Sequence, residues 1–210
     1  MNDDYRKTVH LAVYDQLADW QVGHATAHLR NSEWQPRTGR FEVVTVGLSG
    51  APVTTMGGLT VLPDITLHQL KPSSSSMLLL PGSSWWDQDP ERMSPFASAA
   101  GIFLDAGVPV AAICSATAGL AREGLLDHRD HTSTTPDYLL ATGYQGARRH
   151  RDTLTAADGG LITAASTATL EFARAVFAEL DAYPPRVLDA WYRLHAEHDL
   201  DAYHSLPEGA

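Results

Sequence analysis

The sequence predicts an α/β domain: a mostly parallel sheet with helices on both faces. Three observations lead to this. Short apolar runs rich in Val, Ile and Leu alternate with segments of helical periodicity along the whole chain. Those runs are stopped by turn residues, as Pro81 and Gly82 stop "SMLLLPG". The chain has 210 residues, 44% hydrophobic and 19% charged, which suits one domain with a substantial core.

Taken in order, "TVHLAVYD" (Thr8 to Asp15) reads as a buried strand, and "ADWQVGHATAHLRN" after it as a helix with Trp20, Ala25 and Leu29 among its apolar positions at mixed helical spacing. "FEVVTVGL" (Phe41 to Leu48) is the second strand. The following "LSGAPVTTMGGLTVLPDITL" has the composition of a small hairpin or irregular insertion, and "KPSSSS" is a polar turn. "SMLLLPG" (Ser76 to Gly82) is the third strand, and "PFASAAGIFLDAG" a helix closed by Gly107. "VPVAAIC" is the fourth strand, running directly into the short helix "SATAGLAREG". "DHTSTT" and "GGLITAAS" give two more short strands. "TATLEFARAVFAELDA" is the clearest amphipathic helix, and "PPRVLDAWYRLHAE" a last helix opened by prolines. A single domain over residues 1–198 is expected, with 199–210 a poorly ordered tail.

Composition narrows the function. A net charge of −10 argues against nucleic-acid phosphates as partners and fits small or neutral ones. A single cysteine rules out an internal disulfide framework and a cysteine-rich zinc site. The start, "MNDDYRKTVHLAVYD", is acidic where a secretion signal is basic, and no stretch approaches the roughly 20 apolar residues of a membrane span. A cytoplasmic protein with a free thiol is the expectation.

That thiol, Cys114, falls where an apolar strand becomes a helix with almost no loop between. Such a junction holds a side chain up at the carboxyl edge of the sheet, where open α/β sheets bind their ligands. The crowded backbone needs small neighbours, which Ala111, Ala112, Ser115, Ala116, Ala118 and Gly119 supply. The helix start favours thiolate over thiol, and its free N–H groups can meet an oxyanion. In "LLLPGSSWW", the N–H of Gly82 or Ser83 can join that of Ser115 as a second donor. The competing reading is a small buried hydrophobe, a common fate of free cysteine.

Together, "VYDQLADWQVG", "LLLPGSSWW", "VPVAAICSATAGLAREGLLDHRDHTSTTP" and "LITAASTATLEFARAVFAEL" resemble the ThiJ/PfpI superfamily over nearly the whole chain. The resemblance implies a flavodoxin-like, class I glutamine amidotransferase-like fold, a three-layer α/β/α sandwich. It implies that Cys114 is the nucleophilic, oxidation-prone cysteine, that Gly82, Ser83 and Ser115 form the oxyanion site, and that the protein is a homodimer. Activities in the superfamily include peptidase, glyoxalase or deglycase, isonitrile hydratase and chaperone or stress roles.

Several positions depart from the superfamily pattern. The carboxylate usually set against the cysteine is Gln21 here, which can hydrogen-bond but cannot exchange a proton as a carboxyl group does. Asp19, two residues earlier, lies on another helical face and reads as a helix-start acid. The residue after the cysteine is Ser115 rather than histidine, and His131 is the nearest imidazole in the following segment. His195 and Glu197 match a glutaminase His-x-Glu pair but sit at the end of a helix. His24 and His28 have metal-ligand spacing without an obvious third ligand, which favours solvent exposure. Glu171 reads as a helix-face carboxylate and "RRHR" as a solvated turn, whereas Trp85 and Trp86 read equally as a pocket wall or a dimer contact.

The sequence thus predicts a cysteine-dependent hydrolase or hydratase acting on a small electrophile, with Cys114, Gln21 and His131 catalytic, Gly82, Ser83 and Ser115 binding the oxyanion, and no metal or cofactor. The alternatives are an oxidative-stress thiol sensor, and an amidotransferase-like or intracellular peptidase activity.

Overall fold

The computed structural model describes residues 6–207. In chain order it contains β1 (Lys7–Ala12), α1 (Asp19–Arg30), β2 (Phe41–Gly47), β3 (Val53–Thr54), β4 (Thr60–Val61), β5 (Ile65–Thr66), β6 (Met77–Leu80), α2 (Trp85–Gln88), α3 (Pro90–Asp105) and β7 (Val110–Ile113). There follow α4 (Ala116–Arg122), α5 (Pro136–Leu140), β8 (Thr155–Asp158), β9 (Leu161–Ala164), α6 (Thr169–Glu179) and α7 (Pro185–Ala196).

Seven strands form one sheet in the order β5-β2-β1-β6-β7-β9-β8, parallel except where β8 runs against β9. Helices α1, α6 and α7 pack together on one side, and α2, α3 and α4 on the other. This is a flavodoxin-like three-layer α/β/α sandwich. The central strands explain themselves chemically: all four residues of "MLLL" and all four of "VAAI" are buried, as a sheet covered on both faces demands. Ala111 and Ala112 leave room for the helices to approach.

Differences from the sequence reading have local causes. Helix α3 begins at Pro90, not Pro95, because Asp89 accepts a hydrogen bond from the Arg92 N–H as a cap. Pro95 then sits in its second turn, where the carbonyl of exposed Glu91 goes without a helical partner. "DHTSTT" makes only a bridge between His131 and His150, and the strand that does form, "TAAD", is an antiparallel edge pairing with β9. The insertion after β2 contains the hairpin β3–β4. The tail does not follow the expectation of poor order from Asp199. Residues Leu200–Ser205 form a 3-10 helix capped by the Asp199 carboxylate and anchored by buried Ala202 and Leu206. The expectation rested on position at the end of the chain, which does not show those two apolar anchors.

Helix α4 is buried at every residue except Arg122. It lies close to the Trp86 indole, and only a residue without Cβ fits there: a methyl on Gly119 would stand 2.2 Å from Trp86 Cζ3. Gly119→Ala raises helix propensity by about 1 kcal/mol, yet overpacking costs roughly 1–3 kcal/mol. A net destabilisation is expected in urea unfolding; a stabilised variant would show that the indole moves aside freely.

Candidate active site

Cys114 has φ of +61°, in the left-handed region that non-glycine residues adopt at a cost of about 1–2 kcal/mol. The chain has to turn from β7 into α4 within two residues, and that turn is what the strain accomplishes. Three hydrogen bonds hold it. The Cys114 N–H donates to the Ala164 carbonyl (3.0 Å), extending the β7–β9 pairing. The Cys114 carbonyl accepts from the Thr117 N–H (3.1 Å) and from the Thr117 hydroxyl (2.6 Å). Since that hydroxyl has one proton, its 2.7 Å contact with Ser133 Oγ is donated by Ser133. Thr117 and Ser133 are both buried. The side chain of Cys114 itself is half-buried.

The β6–α2 loop lies against this sulfur. A methyl on Gly82 would come within 2.9 Å of Cys114 Cβ, 3.1 Å of its Sγ and 2.7 Å of Gln21 Oε1. Glycine is therefore needed for close approach, and Cys114, Gln21 and Gly82 flank one point. Gln21 is buried; its Oε1 accepts from the Gly82 N–H (2.8 Å) and its Nε2 donates to the Ser166 carbonyl (3.3 Å). Gln21 thus positions the loop beside the thiol. The Ser83 N–H donates to Ser115 Oγ and the Ser115 hydroxyl returns a bond to the Ser83 carbonyl, both 2.9 Å. The two loop N–H groups expected to serve an oxyanion are therefore engaged by side chains. The Ser115 N–H has no acceptor among the described residues and lies at the start of α4.

His131 is fully buried and not brought to the sulfur. Its Nδ1 contacts the Arg129 carbonyl (2.8 Å), its Nε2 contacts the Tyr144 hydroxyl (3.1 Å), and burial holds it below the ordinary imidazole value. The expected proton-transfer role has no geometry, because both nitrogens are committed; the segment turns Ser133, not His131, toward the elbow. Sequence reading missed two phenols whose electrostatics include Cys114. Burial raises Tyr14, which donates to the Pro81 carbonyl and accepts from Trp86 Nε1. Burial and the Asp87 carboxylate raise Tyr138, which donates to Asp87 Oδ1 at 2.7 Å. Their signal was faint: an isolated tyrosine in a strand end and another in a five-residue helix.

Other residues singled out in the sequence are accounted for. Asp19 accepts from the Thr55 hydroxyl (2.6 Å) and the Gly57 N–H (3.2 Å), pinning the β3–β4 hairpin to α1 rather than facing the thiol. Trp86 is core, while half-buried Trp85 stacks under the Arg92 guanidinium at 3.8 Å. Glu171 accepts from the Tyr192 hydroxyl, and Arg149 and Arg151 clamp Asp130 within the fold. His24 and His28 are half-buried, packed with His195 and Trp191, rather than exposed. No group of three or more His, Cys, Asp or Glu among the described residues is placed to hold a metal ion. No helix among them is long and apolar enough to cross a membrane.

Residues 7–179 match the DJ-1/PfpI family. The chain belongs to the DJ-1/PfpI family. It is 36% identical over 192 residues, 90% of each chain, to a Bacillus subtilis protein named uncharacterized protease YoaZ. Its fold is similar to that of a thiJ/pfpI family protein from Bacillus anthracis, with a TM-score of 0.89, 33% identity and 95% of each chain covered. A DJ-1 superfamily protein from Agrobacterium tumefaciens, Atu0886, superposes with a TM-score of 0.81 at 29% identity, covering 91% of this chain and 99% of that one. Membership in the DJ-1/PfpI family accounts for the fold.

Gln21→Leu leaves the buried Gly82 N–H without an acceptor. A loss of about 1–3 kcal/mol is expected in urea unfolding. An unchanged midpoint would mean that the loop is held without Gln21.

Proposed function

We propose that this DJ-1/PfpI protein is a cysteine-dependent hydrolase or hydratase acting on a small electrophile with a carbonyl or nitrile carbon. The observation that carries the reading is the left-handed Cys114 at the β7–α4 junction, half-exposed and flanked by Gly82. Strain of that kind persists where surrounding structure enforces it, and such strain clusters at functional sites. The naming of YoaZ as a protease supports a hydrolytic chemistry.

In this reading, Cys114 Sγ adds to the electrophilic carbon, and the charge that develops on the substrate's oxygen or nitrogen meets the Ser115 N–H at the start of α4. The Gly82 N–H becomes a second donor when the substrate's acceptor replaces Gln21 Oε1, an amide oxygen of the same hydrogen-bonding kind. Ser83 stays tied to Ser115 and shapes the loop. Water carries the protons, since Gln21 has no acidic proton to give and His131 is engaged elsewhere. A reducing, cytoplasmic location keeps the thiol free. A second copy of the chain is the proposed partner, and the exposed apolar side chains of Trp20, Met56, Leu59 and Leu62 on and beside the hairpin are the surface we assign to it.

A second reading, a thiol sensor, draws on one observation: both loop amides are occupied, and no side chain among the described residues hydrogen-bonds the sulfur. Peroxide would oxidise Cys114 to the sulfinate, gaining two oxygens. The two readings separate in one pair of measurements. Turnover found in a screen of amides, esters, aldehydes and nitriles is expected to vanish in Cys114→Ser. Retained turnover would remove Cys114 from the chemistry. Selective gain of two oxygens at Cys114, with no substrate turned over, would favour the sensor instead.

A further inference from the structure

Helices α1 and α7 meet through a cluster of rings that the site does not use. His24 and His28, four residues apart on α1, stack at 6.3 Å between centroids, and His195 of α7 stands 5.9 Å from the first and 5.1 Å from the second. Trp34 stacks on His28 at 5.7 Å, and Trp191 lies under His195 at 4.8 Å. Polar bonds are few beside these rings: the Tyr183 hydroxyl, just before α7, donates to the His28 carbonyl (3.3 Å), His195 Nδ1 contacts its own helix at the Trp191 carbonyl, and the buried Trp191 Nε1 has no acceptor among the described residues. The seam therefore relies largely on the packing of rings.

We propose that His24, His28 and His195 form an acid-sensitive latch between α1 and α7 that, by way of α1, governs how firmly Gln21 holds the loop at Gly82. Residues 21, 24 and 28 follow i, i+3, i+7 spacing and share one helical stripe, so the face that meets α7 also carries Gln21. Movement of α1 relative to α7 is then movement of Gln21. The coupling to the thiol rests on the reading of Cys114 as the reactive residue; the latch itself does not.

Charge is what the latch excludes. Burial and the neighbouring His195 lower His24, and burial with His195 and His24 lowers His28 to about 4. Neither has a carboxylate among the charges that act on it. The charged groups on the packed elements are engaged elsewhere: Arg193 of α7 pairs with Asp189 and Asp199, Arg174 of α6 with Asp189, Glu33 bears on Tyr183, and Glu171 and Glu197 on Tyr192. The sign follows. Between the ordinary imidazole value of 6.5 and about 4, the unfolded chain binds a proton at His28 that the folded chain refuses. Stability is full above that window and falls as pH falls through it. The α1–α7 seam, where the charge would appear, is the first to open.

Two measurements on the full chain test this. In hydrogen–deuterium exchange, the amides of α7 and of the 3-10 helix after it are expected to lose protection between about pH 7.5 and about pH 5, while β6 and β7 keep theirs. In urea unfolding, the folding constant falls over the same range, and His28→Gln is expected to remove about 25-fold of that fall. His195→Gln, on the opposite helix, is expected to remove a smaller part of the fall, because burial is the larger cause of the lowering at His28 and His195 the second; it serves as the second variant should the first fold poorly. Equal falls in wild type and variants, or α7 amides that stay as protected as the sheet, overturn the latch. Released α7 amides with an alkylation rate of Cys114 that is the same in wild type and His28→Gln at about pH 5 overturn the coupling to the site, whatever becomes of Cys114 as a nucleophile.

Discussion

One backbone angle organises this molecule. Cys114 sits at φ +61°, a conformation that a side chain resists, and the surroundings enforce it from several directions. From β9, the Ala164 carbonyl takes its N–H; from α4, Thr117 binds its carbonyl twice; from beyond α4, Ser133 steadies Thr117. Without that bend the apolar run of β7 would continue past the sheet edge. With it, a polarisable sulfur is lifted clear of the strand ends and set at a helix start. The small residues of α4 around the bend, Ala116, Ala118 and Gly119, follow from the same constraint, because a helix that starts inside the core has little room there.

The second layer of the arrangement is the loop at Gly82. It carries no chemistry of its own in this state; it is held by Gln21 and Ser115 through the very N–H groups that make it interesting. A carboxylate at position 21 would offer both a proton and an acceptor. The amide present offers only the acceptor, together with a donor aimed at the Ser166 carbonyl. The loop is therefore fixed by an amide that has no acidic proton to exchange. Under the proposed function, the electrophile has to supply an acceptor strong enough to compete with a well-placed glutamine.

Much of this was legible in the residues. Apolar runs ending in Pro-Gly or Cys-Ser placed the strands and the sheet edge, and the crowd of small residues around Cys114 announced a tight junction. The partners of each polar group were not legible, because they depend on contacts between residues far apart in sequence. Asp19 looked like a simple helix-start acid, yet it reaches the hairpin 36 residues on. His131 looked close enough to serve the thiol, but half of its satisfaction comes from Tyr144, which composition does not reveal. His24 and His28 looked solvated until α7 brought His195 and Trp191 over them. The tail was misjudged for a related reason: Ala202 and Leu206 are too few to give a pattern and enough to anchor a turn.

The proposed function requires a sulfur made reactive by where it is held. The rate of alkylation of Cys114 by iodoacetamide, set against that of free cysteine at about pH 7, tests this most directly. A faster rate at Cys114 is what the strained, amide-flanked position predicts. A rate no higher than that of the free amino acid would contradict it, and would return this residue to the ranks of core packing.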